Sequence, residues 1–214
     1  MHIPDGFLSP QTYLPAWGLA AVGWAWATRG LAERLDETLV PRMAMLTALA
    51  YALGLIMLPL PGGTSGHALG VAALALVFGI RLAFLAYSGV LLLQALLFGA
   101  GGITALGVNA LALGLLGAAV SVGLYRLLAR FGEEMAVLVA AFVSLQLSAL
   151  SVALVLGVQP SIAYRADGTP LFFPLGLAVT VPAVVLPHLL IGVAEAGLTL
   201  LVWRLARRKG WVSR

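Results

Sequence analysis

The chain has no cysteine and little charge: 9% of its 214 residues are Asp, Glu, Lys or Arg. The first absence excludes disulfides, thiolate metal sites and cysteine nucleophiles. The second excludes an ordinary soluble domain, in which about a quarter of residues are charged. Acidic residues number eight and histidines three, so a metal site built from side chains alone has few donors to draw on. No Walker A pattern is present, so the chain has no phosphate-binding loop for ATP hydrolysis. The length leaves no room for a separate ATPase module. What remains is a chain that is 62% hydrophobic. Long uncharged stretches at that composition predict an all-α polytopic membrane protein.

Seven apolar segments can be drawn: Gln11–Thr28, Val40–Leu58, His67–Ile80, Leu82–Phe98, Thr104–Leu128, Met135–Val158 and Leu175–Trp203. The third and fourth are short for the ~20 residues a crossing needs and are read as two tilted short helices. Basic residues test the layout. With the N-terminus outside, Arg29, Arg34, Arg42, Arg81, Arg126, Arg130, Arg204, Arg207, Arg208, Lys209 and Arg214 all fall on the inner side, and Arg165 alone falls outside. This positive-inside bias requires an odd number of spans and a cytoplasmic C-terminus. It also accounts for the net charge of +4 without nucleic acid. The reading is one transmembrane domain over residues 1–214, with an N-terminal arm (1–10) and a basic cytoplasmic tail (204–214).

The orientation places the N-terminus, Pro59–Gly66, Gly99–Gly102 and Gln159–Pro174 on one outer face. The loops at 61–66 and 99–102 are glycine-rich, which permits close backbone approach. A cleaved leader is not expected. Tyr13–Ala27 ends in Ala25-Trp26-Ala27, but no Lys or Arg precedes it and Asp5 does.

Met1-His2 then stands out as a chelator. The Met1 amine and the His2 amide nitrogen close a five-membered ring on a metal. The His2 amide and its own imidazole Nδ1 close a six-membered ring. His67, at the outer end of the third segment, could add a fourth nitrogen. Planar nitrogen ligands suit Ni(II), Cu(II) or Co(II), and not Ca(II), Mg(II) or tetrahedral Zn(II). A plainer reading stands beside this one: a second-position histidine arises by chance, and His67 could cap a helix or face water.

Two other arrangements carry chemistry. Gly63-Thr64-Ser65-Gly66-His67-Ala68-Leu69-Gly70 fits GxSGxxxG, which resembles the serine site of rhomboid intramembrane proteases with Ser65 as nucleophile and His188 as base. His188 and Glu195, seven apart, share one helix face. They read either as an outer-shell network or as a helix–helix hydrogen bond. Ala44, Ala48 and Ala52 form a small-residue stripe suited to close helix packing, within the bundle or against a partner.

The signatures converge on a family. Met1-His2-Ile3-Pro4-Asp5-Gly6, Gly62-Gly63-Thr64-Ser65-Gly66-His67, the run from Leu93 through Gly99 and on to Gly107, and His188–Gly192 with Glu195 and Thr199 resemble, in order, the CbiM/NikM family. These are the substrate-binding membrane subunits of cobalt and nickel energy-coupling-factor transporters. The resemblance implies a square-planar site from the Met1 amine, the His2 amide and imidazole, and His67. It implies seven spans with the arm inserted among the helices. Ser65, Asn109, His188 and Glu195 are candidates to support the metal ligands from behind without touching the ion. The implied partners are a divalent ion (Ni2+ or Co2+), a membrane coupling subunit and two cytoplasmic ATPase subunits. The implied location is the inner membrane of a bacterium or archaeon; the chain itself is no enzyme and needs no cofactor. Ala100 replaces a frequent acidic residue of the family, and Ala112-Leu113 replaces an Asn-Met pair. These departures leave the choice between nickel and cobalt open.

Overall fold

Proline and glycine cut the apolar chain into helices. The computed structural model describes residues 1–33, 35–60 and 64–212, with the side chains of Leu60 and Thr64 undescribed. Arg34, Arg214 and the Gly62-Gly63 half of the second signature lie outside the described residues.

Pro10 opens α1 (Pro10–Thr28), where its missing N–H costs nothing. Asp36 starts α2 (Leu39–Leu55) by accepting the N–H groups of Thr38 and Leu39 at 2.8 and 2.6 Å. A short antiparallel hairpin follows, β1 (Leu58–Leu60) and β2 (Thr64–Gly66), with Pro59 opposite Ser65. This hairpin and an isolated bridge between Tyr164 and Pro170 are the departures from an all-α chain among the described residues. Next come α3 (Val71–Phe78) and α4 (Ile80–Phe98), divided by Gly79 at φ +84°. Helix α5 (Leu106–Asn109) continues through a π-helical stretch, Ala110–Leu115, into α6 (Leu116–Leu128) and a final 3-10 turn. Helices α7 (Glu133–Gly157), α8 (Gln159–Ile162) and α9 (Leu177–Arg208) complete the chain.

Four helical bodies are long and apolar enough to cross a membrane: Ile80–Phe98, Leu106–Phe131, Glu133–Ile162 and Leu177–Arg208. Helix α1 has 19 residues, but Gln11, Thr12, Tyr13 and its prolines dilute its apolar character, and α2 has 17. Two helices do occupy 67–98, but only one is short: α3 has eight residues and α4 has nineteen. Residues 67–70 take non-helical backbone into the buried interior, so α3 begins partway through the bundle. The basic segment 204–208, read as tail, is instead the last helical turn of α9.

Helix α3 is the hub, touching α2, α4, α6, α7 and α9. Its small side chains Ala72, Ala73 and Ala75 are buried. Gly117 of α6 lies so near that a Cβ there would be 2.9 Å from Val71. Outward, large apolar side chains such as Leu19, Val22, Leu190 and Val193 are exposed around the bundle, as a lipid-facing surface requires.

The basic helix ends gather at one end of the bundle. Arg204 pairs with Glu134 at 2.5 Å, Arg207 pairs with Glu133, and Arg81 donates to the Arg29 carbonyl. Arg42 stacks over Trp211 and Arg81 over Trp26. The arm, the hairpin, residues 99–104 and the 159–175 loop lie at the opposite end.

Gly107 gives a direct test of this packing. A Cβ there would stand 2.8 Å from the Trp17 nitrogen and 2.9 Å from the Ala16 carbonyl carbon, both backbone atoms of α1. Gly107→Ala should therefore destabilise the protein by about 1–3 kcal/mol. Gly123→Ala, with nothing within 4 Å of its Cβ, should leave the thermal midpoint in detergent unchanged or slightly raised.

Candidate metal centre

Residues Met1–Ser9 form a non-helical arm whose backbone is hydrogen-bonded at Ile3, Phe7 and Ser9. Ile3 donates its N–H to Asn109 Oδ1, and its carbonyl accepts Asn109 Nδ2–H, both at 3.0 Å. The same carbonyl accepts the Gly102 N–H at 2.9 Å. Asn109 thus reads the backbone of Ile3 as a neighbouring strand would. It sits where α5 passes into the π-helical stretch, a kind of irregularity frequent at functional sites.

Asp5 is the second anchor. It accepts the N–H of Thr104 at 2.8 Å, the Thr104 hydroxyl at 2.5 Å and the N–H of Ile103 at 3.1 Å. Desolvation pushes its carboxyl up, but the bonds from Thr104 and Ile103 outweigh that and hold it below its ordinary value. Gly102 is required here, because a Cβ would fall 2.3 Å from the Asp5 nitrogen. Beyond a turn at Gly6 (φ +84°), the Phe7 carbonyl accepts the Phe173 N–H and their rings lie 5.4 Å apart. Ser9 N–H donates to Gln159 Oε1 at 3.0 Å.

These anchors bury the arm's start: Met1, His2 and Ile3 are all buried. The Met1 amine donates to the Ser65 carbonyl and lies 3.4 Å from the Ser65 hydroxyl. The rings of His2 and His67 are 4.3 Å apart, centroid to centroid. His67 Nδ1 lies 3.0 Å from the Ala68 carbonyl. A carbonyl only accepts, so Nδ1 carries the proton and Nε2 keeps a free lone pair. The same argument applies to His188, whose Nδ1 donates to the Val184 carbonyl at 2.6 Å.

The result is a set of buried nitrogens with nothing to bond: both ring nitrogens of His2, Nε2 of His67 and Nε2 of His188. Buried polar atoms without partners are rare, and each calls for an explanation. Burial alone pushes the Met1 amine down to about 4. Burial, then His67 and the terminal charge, pushes His2 down as well. At neutral pH the Met1 amine and the His2 imidazole are uncharged bases with lone pairs available.

Among the described residues no cluster of three or more His, Asp or Glu side chains could hold a metal. The nitrogens gathered here come from two side chains and the chain terminus. The other candidates take different places. Glu195 accepts the N–H groups of Leu69 and Gly70 at 2.9 and 2.8 Å, so its partner is loop backbone, not a neighbouring helix. A helix–helix bond does form at His188, but through its carbonyl, which accepts Gln146 Nε2–H at 2.6 Å. Ser65 faces the Met1 amine, and its hydroxyl lies 3.7 Å from Met57 Sδ. Among the described residues no hydrogen bond joins Ser65 to His188, so the protease pair is not assembled. Ala100, Ala112 and Leu113 are buried apolar positions and offer the site no polar atom. The Asp5 and Gln159 anchors were not singled out from sequence; both are lone polar residues beside apolar runs, which is the signal that could have found them.

Known proteins resemble the chain as a whole. The family profile described as the cobalt uptake substrate-specific transmembrane region, CbiM, matches residues 2–211. The fused nickel transport protein NikMN of Rhodobacter capsulatus is 39% identical over 91% of this chain and 58% of its own length. The probable fused nickel transport protein LarMN of Lactiplantibacillus plantarum is 38% identical over 97% of this chain. The chain spans 65% of LarMN, so it covers less than two thirds of either fused relative. The cobalt transport protein CbiM of Chlorobium limicola is 32% identical over 97% of this chain and 81% of its own length. A crystal structure of a truncated transition metal transporter superposes with a TM-score of 0.93 at 36% identity, covering 98% of this chain and 99% of that one. The match is to transport proteins and not to enzymes. Fold and family profile agree, and the chain belongs to the CbiM family of multi-pass transmembrane proteins.

Proposed function

We propose that this chain captures Ni2+ or Co2+ at the outer face through four nitrogens: the Met1 amine, the His2 amide, the His2 imidazole and His67 Nε2. The observation that carries the reading is the buried group of partnerless imidazole nitrogens beside a neutral terminal amine. In an apolar bundle these atoms cost free energy unless something binds them. A d-block cation in planar coordination satisfies them together. Seven crossings with the arm outside and the C-terminus in the cytoplasm fit the gathering of basic residues at the far end of the bundle.

Import then requires partners. A membrane coupling subunit and two cytoplasmic ATPase subunits supply the energy this chain cannot. Ala44 and Ala48 line an apolar groove of about 580 Å3 between α2 and α4, shaped to receive a helix of the coupling subunit. Filling that groove with Ala48→Trp should abolish co-purification with the coupling subunit while metal retention stays intact. Loss of both would indicate misfolding.

The N-terminus itself is testable. His2→Ala, or one residue added before Met1, should remove bound nickel and cobalt from purified protein as read by elemental analysis. Unchanged metal content in either variant would sink the reading.

Acid should oppose loading, because protons compete for the same lone pairs. Burial takes the Met1 amine down to about 4 and pushes His2 down as well, so both are already neutral at pH 7. The His2 amide alone then gives up a proton, about one per ion bound. Affinity should rise about tenfold per pH unit through the neutral range and fall more steeply only near the depressed values. Calorimetry in buffers of differing ionisation enthalpy measures the proton count; a value of two or more would show that the amine is solvated.

A further inference from the structure

The nitrogens proposed above belong to two parts of the bundle that have different anchors and meet where the Met1 amine donates to the Ser65 carbonyl. The arm with Met1 and His2 is held by Asn109, Gly102, Thr104 and Gln159. His67 is held by none of these. Its segment, residues 67–70, is non-helical backbone inside the bundle, where every N–H must find an acceptor.

Glu195 of α9 provides that acceptor twice over. Its Oε2 takes the Leu69 N–H at 2.9 Å and its Oε1 the Gly70 N–H at 2.8 Å, and the side chain is buried. Two bonds to successive N–H groups fix the turn in position and in rotation. From the other side α2 closes on it. Gly70 has φ +71°, and a Cβ there would be 2.9 Å from Ala50 Cβ and 3.0 Å from its Cα. The turn is gripped between α9 and α2. His67 follows that grip at close range, since its ring is tied to the Ala68 carbonyl one residue before Leu69.

We propose that Glu195 is the positioning residue that holds His67 as a detachable fourth nitrogen. Displacing α9 or α2 relative to the rest of the bundle withdraws His67, while the Met1-His2 nitrogens stay with the arm. The ion then passes from four nitrogens to three, which opens one coordination position for release. This inference rests on the metal-binding reading above.

The test uses full-length protein with an unmodified N-terminus, loaded with Cu(II) alone or Ni(II) alone. Glu195→Gln keeps the shape but turns an NH2 group toward one of the two N–H donors. Metal affinity should fall about 10–100-fold, the range for lost supporting bonds around a metal ligand. The visible band of the copper form should move to longer wavelength, as in His67→Ala, because an oxygen replaces the fourth nitrogen. The double variant should match His67→Ala alone in both readouts. Wild-type affinity and spectrum in Glu195→Gln would overturn the proposal, as would an effect that adds in full to that of His67→Ala. If Glu195→Gln does not fold, hydrogen exchange on the wild type decides: the Leu69 and Gly70 amides should exchange more slowly after nickel loading, and equal rates overturn the proposal. A wild type that holds no more metal than His2→Ala would overturn the metal-binding reading and this inference with it. A loaded wild type with an indifferent Glu195→Gln overturns the inference alone.

Discussion

The structure depends on how a polar chain terminus is made tolerable inside an apolar bundle. An extended strand among membrane helices has no partner strand, and each unmet N–H or carbonyl costs a large part of a folded protein's margin. Asn109 resolves this by bonding Ile3 on both its N–H and its carbonyl. One amide side chain does the work of a strand edge. The contact needs α5 close to the arm, and that need explains Gly107, whose lack of a side chain lets α1 approach α5. Gly102 and Gly101 follow from the same demand, since the 99–104 loop must press against Asp5 and His2.

Much of the fold was legible in sequence, for physical reasons. Apolar runs report helices when lipid is the solvent, and the segment ends fell within a few residues of α4, α7 and α9. Helix α3 was not legible. Residues 67–80 are as apolar as their neighbours, and hydropathy does not distinguish helical turns from a buried non-helical stretch. What stops the helix short is Gly70, whose left-handed backbone is invisible in a composition this rich in glycine. The hairpin before His67 was likewise read only as a glycine-rich loop.

Of the candidate centre, the donors were legible and their supports were not. Met1, His2 and His67 are conspicuous because so few nitrogens exist in the chain. Asn109 and Glu195 were named, since a polar side chain in an apolar run needs a reason. Their roles could not be read, because both bond backbone, and sequence does not show which backbone will arrive. The seven-residue spacing of His188 and Glu195 put them on one face, yet the face meets a turn from 126 residues earlier in the case of Glu195. The small-residue stripe of α2 shows the same limit: Ala50, outside that stripe, is the residue that meets Gly70.

The brevity of α3 has an electrical side. Eight residues of helix span about 12 Å, against a hydrocarbon layer of about 30 Å. Glu195, which meets the turn ahead of α3, lies thirteen residues before the end of α9, or about 20 Å along its axis. A cation taken in from the outer face and held beside His67 would therefore stand part of the way into the membrane's voltage drop. Each elementary charge that crosses the full drop exchanges about 2.3 kcal/mol per 100 mV. Loading and unloading such an ion divides that work into two stages, with the depth of one short helix setting the division.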